Sequence, residues 1–340
     1  MPPISRSVDA GPSVTCGIVL VGLRRRISFL LIAPVVLTVL ATGLVAPVAA
    51  AVPRAIWVWE ADTFRLLDNK EHWNETFSFL AQRNLVAVYL YADIYQGRNV
   101  IRDEPEKYRR LIAALHGRGC KVYALLGSKY LKTPEYILPE RRVAAVRMFE
   151  TVLRYDAGSA AGERFDGINV DIEPYLLDDW RAKRTLRATQ YLDLATEFMR
   201  LKRDAGSTLA VGPAMPFWFD GIGDIVWKGK RQRLSDHVQD IYDYVAIMDY
   251  RNFARGSDGI IAHATDELEY ADRTGKTVVI GVETLPTEPR KVTFYGMGHA
   301  AMEEQLRIVE TEFSSHSSFS GFAIHHLGSY LIMVDSKPRQ

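Results

Sequence analysis

Phe165-Asp166-Gly167-Ile168-Asn169-Val170-Asp171-Ile172-Glu173-Pro174, residues 165–174, alternates apolar with acidic or amide side chains at period two over most of its length. In a strand, that spacing aims several acidic groups along one face. Strand interiors are poor in Asp and Asn, and like charges side by side cost free energy, so the pattern calls for more than a packing role. Pro174 ends hydrogen bonding along the strand and leaves Glu173 at its rim.

Working outward, short β-rich runs alternate with amphipathic stretches, the rhythm of repeated β-then-α units around a parallel sheet. The runs are Ala55 to Trp59, Val86 to Ala92, Lys121 to Leu126, Gly167 to Ile172, Leu209 to Ala214, Tyr244 to Met248, Thr277 to Val282 and Gly321 to His325. Helical periodicity marks Glu106 to Leu115, Arg142 to Leu153 (with Val143, Val146, Met148, Phe149, Val152 and Leu153), Trp180 to Arg203 (with Leu186, Tyr191, Leu194, Phe198 and Leu201) and Glu303 to Phe313. Eight β/α units in roughly 290 residues fit a single α/β domain, a (β/α)8 TIM barrel over residues 52–335, whose working face is the C-terminal ends of the strands. The fourth run is the acidic stretch. Strand-end candidates are Trp59, Glu60, Tyr91, Asp171, Glu173, Trp218, Met248, Asp249, Tyr250, Glu283, His325 and His326.

Residues 1–51 have the layout of an export signal: Arg24-Arg25-Arg26, an uncharged apolar run from Ile27 to Val52, and a close on Ala49-Ala50-Ala51. The run is long enough to span a bilayer, so an uncleaved N-terminal membrane anchor is the alternative. Either reading places the folded part outside the cytoplasm, secreted or in the cell envelope or periplasm. Cys16 lies in the leader and Cys120 is alone in the body, which leaves no intrachain disulfide there; Cys120 reads as a buried strand-start residue. The 42 basic and 41 acidic residues lose four arginines and one aspartate with the leader. The near-neutral remainder has no basic cluster and no footprint for nucleic acid. A monomer is expected.

The stretch FDGINVDIE resembles the active-site signature of glycoside hydrolase family 18, the chitinases and endo-N-acetylglucosaminidases, in which a fourth strand reads apolar, Asp, Gly, apolar, Asp or Asn, apolar, Asp, any, Glu. Met248-Asp249-Tyr250 resembles the same family's Met-x-Tyr element on the sixth strand. The resemblance implies an exported glycosidase acting on a carbohydrate that contains N-acetylamino sugars, with no cofactor and no metal. It implies Glu173 as general acid, Asp171 orienting the acetamido group and Tyr250 bonding that group, with the substrate's own N-acetyl oxygen as nucleophile. Asp171 and Glu173 on one strand face would also raise each other's pKa, which suits an acid catalyst. Two departures stand out. Asn169 replaces the commoner Asp, and His325-His326 stand where the family's eighth strand presents a Trp.

Three other readings compete. Glu173 before Pro174 on strand four, with Glu283 at the end of strand seven, matches a retaining glycosidase using an acid/base and a nucleophilic carboxylate about 5 Å apart. A non-catalytic carbohydrate-binding barrel is the second. Asp166, Asp171, Glu173 and Asp249 holding a hard cation is the third, although strand-spaced acids give no recognised metal signature. Asp166 reads as a structural partner of backbone amides. Trp57, Phe217 and Phe219 read as core or rim packing; Trp59 and Trp218, each after a strand, are candidates for stacking on sugar. Tyr91 is a candidate for sugar hydroxyls, with a core role as its alternative.

Overall fold

Period-two runs that are apolar on both faces can be buried only between an inner and an outer layer, and the chain satisfies that by closing its sheet. The computed structural model describes residues 52–335; the leader assigned from the sequence lies outside the described residues. The strands are β1 (Arg54–Val58), β2 (Leu85–Tyr91), β3 (Lys121–Leu126), β4 (Gly167–Val170), β5 (Ala210–Pro216), β6 (Ile225–Trp227), β7 (Lys230–Gln232), β8 (Tyr244–Met248), β9 (Thr277–Glu283) and β10 (Phe319–His325). Eight of them form a closed parallel barrel in the order β1-β2-β3-β4-β5-β8-β9-β10, with β10 returning to β1. The eight runs read from the sequence are these eight strands. The small antiparallel hairpin β6-β7, inserted after β5, was not read from the sequence.

Inside the barrel, large rings meet positions with little or no side chain. Trp57 lies against Tyr89 (ring centroids 5.2 Å apart), Tyr89 against Tyr123 (5.4 Å) and Tyr123 against Tyr244 (5.9 Å). Space for them comes from Ala55, Ala246 and Ala323 and from glycines. A Cβ on Gly167 would sit 2.5 Å from the Tyr123 ring, and one on Gly212 2.7 Å from that of Tyr244. Asn169 belongs to this interior: fully buried, it accepts from Trp57 Nε1 (3.0 Å) and donates to the Gly212 carbonyl (3.4 Å). An aspartate could take the first bond but not make the second, which accounts for the amide at this position. Asn169 is a structural residue here and not part of a binding surface.

Helices cover the outer face. Pro105–His116, Arg142–Ala157, Arg184–Asp204 and His299–Phe313 correspond to the four expected segments. Two sequence assignments shift. The long helix starts at Arg184, because residues from Pro174 onward first form a 3-10 turn and Trp180 is buried, stacked parallel to Phe219. Leu186, expected to face the sheet, is 50% exposed; Ala188, Tyr191, Leu194 and Phe198 form the buried stripe. Val143 is likewise 60% exposed, the buried stripe of its helix running through Ala145, Met148, Phe149 and Val152. Cys120 is buried as expected.

Gly212→Ala is expected to destabilise the protein by about 1–3 kcal/mol through overpacking against Tyr244. Urea unfolding measures this; an unchanged midpoint would show that the ring-to-glycine fit is not tight.

Candidate active site

The C-terminal ends of the strands surround a cavity of about 750 Å³ whose wall includes Trp57, Trp59, Glu60, Asp171, Glu173, Met248, Tyr250 and His325. Asp171 and Glu173 reach it from just beyond β4, which ends at Val170, and both line the same cavity. The last ladder-like bond is Asp171 N–H to the Leu126 carbonyl (2.6 Å). Gly127, at φ +140°, passes so close to this segment that a Cβ there would lie 2.0 Å from the Asp171 carbonyl oxygen. The backbone contact with β3 thus sets the height of Asp171 above the barrel.

Electrostatics at the pair are dominated by burial. It raises the Asp171 carboxyl well above its ordinary range, with smaller contributions from the charges of Glu173 and Glu60. Burial also pushes Glu173 up to about 7. Mutual repulsion, the cause inferred from their spacing, is secondary. Asp171 Oδ1 is buried and has no hydrogen-bond partner among the described residues. Glu173 accepts from the hydroxyl of Tyr175, whose ring meets Trp218 edge to face at 5.0 Å. Tyr175 was missed from sequence, although its place directly after Pro174 was a signal. The hydroxyl of Tyr250 is held in its neutral form by burial and by the acidic charge of Glu283, Asp171 and Glu173, so at the cavity wall it can donate.

Several other candidates are placed elsewhere. Asp166 sits at the opposite end of β4, where its carboxylate accepts from the Val122 amide (2.7 Å) and faces His116 (3.0 Å), the backbone-holding role read from the sequence. Asp249 points away from the cavity; fully buried, it accepts from His263 Nδ1 (2.9 Å) and anchors the turn that carries Tyr250. With Asp166 and Asp249 both directed elsewhere, the four acids do not gather around a cation. Tyr91 is fully buried and donates to the Ile94 carbonyl (2.8 Å), so it takes the core role and offers nothing to a sugar. Trp218 is 36% exposed but is absent from the cavity wall. His326 lies outside the wall too, its N–H donating to Ser329 Oγ (3.1 Å) and burial lowering its pKa.

Glu283, the rival nucleophile, has both oxygens engaged. Oε1 accepts from the amides of Thr284 and Leu285 (2.7 Å each) and Oε2 from His325 Nδ1 (2.8 Å). Glu60 accepts from Ser128 Oγ (2.6 Å), a partner the sequence did not suggest. His325 occupies the place on the last barrel strand where the resemblance implied a Trp, and Trp59, directly after β1, stands edge to face against it at 5.9 Å.

No family model and no curated protein matches the chain. Among solved structures it is similar to a GH18 chitinase from Cycas revoluta in complex with (GlcNAc)3, at 11% identity over 81% of this chain and 95% of that one, with a TM-score of 0.49. It is similar also to a glycoside hydrolase family 18 N-acetylglucosaminidase from Paenibacillus barengoltzii, at 12% identity over 82% of this chain and 96% of that one, with a TM-score of 0.43. The exo-β-1,4-mannosidase Op5Man5 from Opitutaceae bacterium strain TAV5 gives 14% identity over 80% of this chain and 51% of that one, with a TM-score of 0.51. At such identities the likeness is one of fold. The family that the fourth-strand motif resembles is represented among these barrels.

Two outcomes test this geometry. Because Glu173 keeps its proton to about 7 where the unfolded chain releases it near 4.5, its contribution to stability is full below 4.5 and is lost as pH rises through 7. Carbon-detected NMR titration of the Glu173 carboxyl should show the raised midpoint; one near 4.5 would remove the burial argument. Gly127→Ala should push the Asp171 segment outward and lower the thermal midpoint, and an unchanged melting curve would contradict the close approach.

Proposed function

We propose that the chain is a glycoside hydrolase acting on glycans that contain N-acetylamino sugars, by substrate-assisted retaining catalysis. One observation carries the reading: Asp171, whose Oδ1 is buried and without a hydrogen-bond partner, lines the same cavity as Glu173 and Tyr250. A buried acceptor without a donor is costly, and the N–H of an acetamido group would satisfy it. In this scheme Glu173 delivers its proton to the glycosidic oxygen as the C1–O bond breaks. The acetamido oxygen attacks C1, and Asp171, acting in its ionised form, accepts from the acetamido N–H and offsets the positive charge that develops there. Tyr250 donates to the acetamido oxygen and orients it. Water then attacks C1, returning its proton to Glu173 and reopening the ring. Oligosaccharides of GlcNAc bound by the similar chitinases agree with this substrate class.

The two-glutamate alternative is disfavoured by Glu283, whose oxygens are both taken up by donors of the protein itself. A carboxyl kept protonated to about 7 at the cavity wall suits a proton donor, which favours catalysis over a binding-only barrel. Export by the leader, in secreted or anchored form, belongs to the same reading and would bring the barrel to extracellular or envelope glycans.

The test is hydrolysis of matched N-acetylated and non-acetylated oligosaccharides, with a thiazoline inhibitor in parallel. The expected result is a strict N-acetyl requirement, thiazoline inhibition and a rate that declines as pH rises past about 7. Glu173→Gln should lower kcat by at least about 1,000-fold while sugar binding persists. Turnover that survives this substitution, or equal activity on non-acetylated substrates, defeats the proposal.

A further inference from the structure

Glu283 is 5% exposed and does not itself reach the cavity wall, yet a directed chain of hydrogen bonds leads from it to that wall. Two backbone amides fix Oε1. Oε2 lies 2.8 Å from Nδ1 of His325, and Nε2 of the same ring lies 2.8 Å from Nε1 of Trp59. An indole N–H can only donate, so Nε2 must be the bare acceptor and the ring proton must sit on Nδ1, facing Glu283. The order Trp59 to His325 to Glu283 therefore has one direction and one tautomer. His325 and Glu283 end β10 and β9, and Trp59 directly follows β1; the three strands are neighbours in the barrel.

The outer end of this chain faces the substrate space. Trp59 is half-buried and lines the cavity together with Asp171 and Glu173. His325 is wedged between rings, with Trp57 at 6.0 Å, Trp59 at 5.9 Å and Tyr250 at 5.8 Å, so it cannot turn without displacing them. An indole offers a sugar a large apolar face; one whose N–H is already bonded has its ring plane fixed before the sugar arrives. We propose that Glu283 is a positioning residue that, through His325, holds Trp59 as the platform on which the sugar ring stacks beside Asp171 and Glu173. This rests on the glycosidase reading above for its substrate. It gives Glu283 a role other than that of nucleophile.

The experiment uses the full barrel with Glu283→Gln, Trp59→Phe, Trp59→Ala and the Glu283→Gln/Trp59→Ala double variant. Gln keeps the acceptor for the two amides but can pair with either imidazole tautomer, which frees His325 to present an N–H to the indole. The Trp59 indole N–H resonance, assigned by its loss in Trp59→Phe, should therefore move or broaden in Glu283→Gln. On an N-acetylated oligosaccharide, Glu283→Gln should raise KM about tenfold with kcat within about threefold of wild type, as expected for lost substrate binding. Adding Trp59→Ala should then cost less than the two single effects together, since both act on one platform. Trp59→Phe keeps a ring but loses the donor; it should raise KM in the same direction and carries the test if Glu283→Gln does not fold. An indole resonance unmoved by Glu283→Gln, a Trp59→Phe enzyme with wild-type KM, or fully additive effects would overturn the proposal. So would a kcat lower by about 1,000-fold with restoration by azide in Glu283→Ala, the behaviour of a nucleophile. A wild-type protein that hydrolyses no glycan but shows the resonance shift would instead refute the glycosidase reading and leave the bonded chain intact.

Discussion

Asp171 and Glu173 are half-buried at the mouth of the barrel with no lysine or arginine bonded to either among the described residues, and the rest of the site is arranged around that constraint. Ionised carboxylates in such surroundings are expensive, and the cost is relieved by retaining protons. Both carboxyls are accordingly raised. An arginine in contact would have removed the effect and with it any capacity to donate a proton near neutral pH.

Holding two such carboxyls in place requires a rigid support that does not neutralise them. The backbone provides part of it: the Asp171 amide is tied to Leu126, and Gly127 leaves no room for the segment to sink. The remaining walls are held from behind by buried acid–histidine pairs. Asp249 with His263 fixes the turn bearing Tyr250, and Glu283 with His325 fixes Trp59. His263 is further clamped by a parallel stack on Phe217 at 3.8 Å. In both pairs the charge lies behind the cavity, and a neutral aromatic group faces it.

The eight barrel strands were legible because each is a short apolar run bounded by turn residues, a signal that survives without knowledge of partners. Strand four was readable as to place but not length, since its pairing with β3 stops at Val170 while the alternation continues to Glu173. Among helices, Glu60–Asp68, Glu71–Gln82, Val100–Asp103, Leu234–Ile241, Ile260–Thr274 and Leu327–Asp335 escaped the reading. The first has no cap side-chain bond, and its start at Glu60 runs directly on from β1, so no loop separates the two patterns.

Sequence alone determined the barrel and the position of the acidic stretch within it, because these depend on order along the chain and on strand-end location; the resemblance grouped Glu173 with Asp171 and Tyr250, and all three line one cavity. Only the tertiary structure decided which way the other polar residues face. Asp166, Asn169 and Asp249 were all polar candidates of the sequence, yet one ties backbone at the far end, one fills the interior beside Trp57, and one braces a turn. Glu283 and His325 are more than forty residues apart and acquire their relation only when β9 and β10 pair. Hydrogen-bond partners are a property of the closed barrel: a carboxylate's role is set by which donors surround it, and those donors come from strands that the linear chain keeps apart.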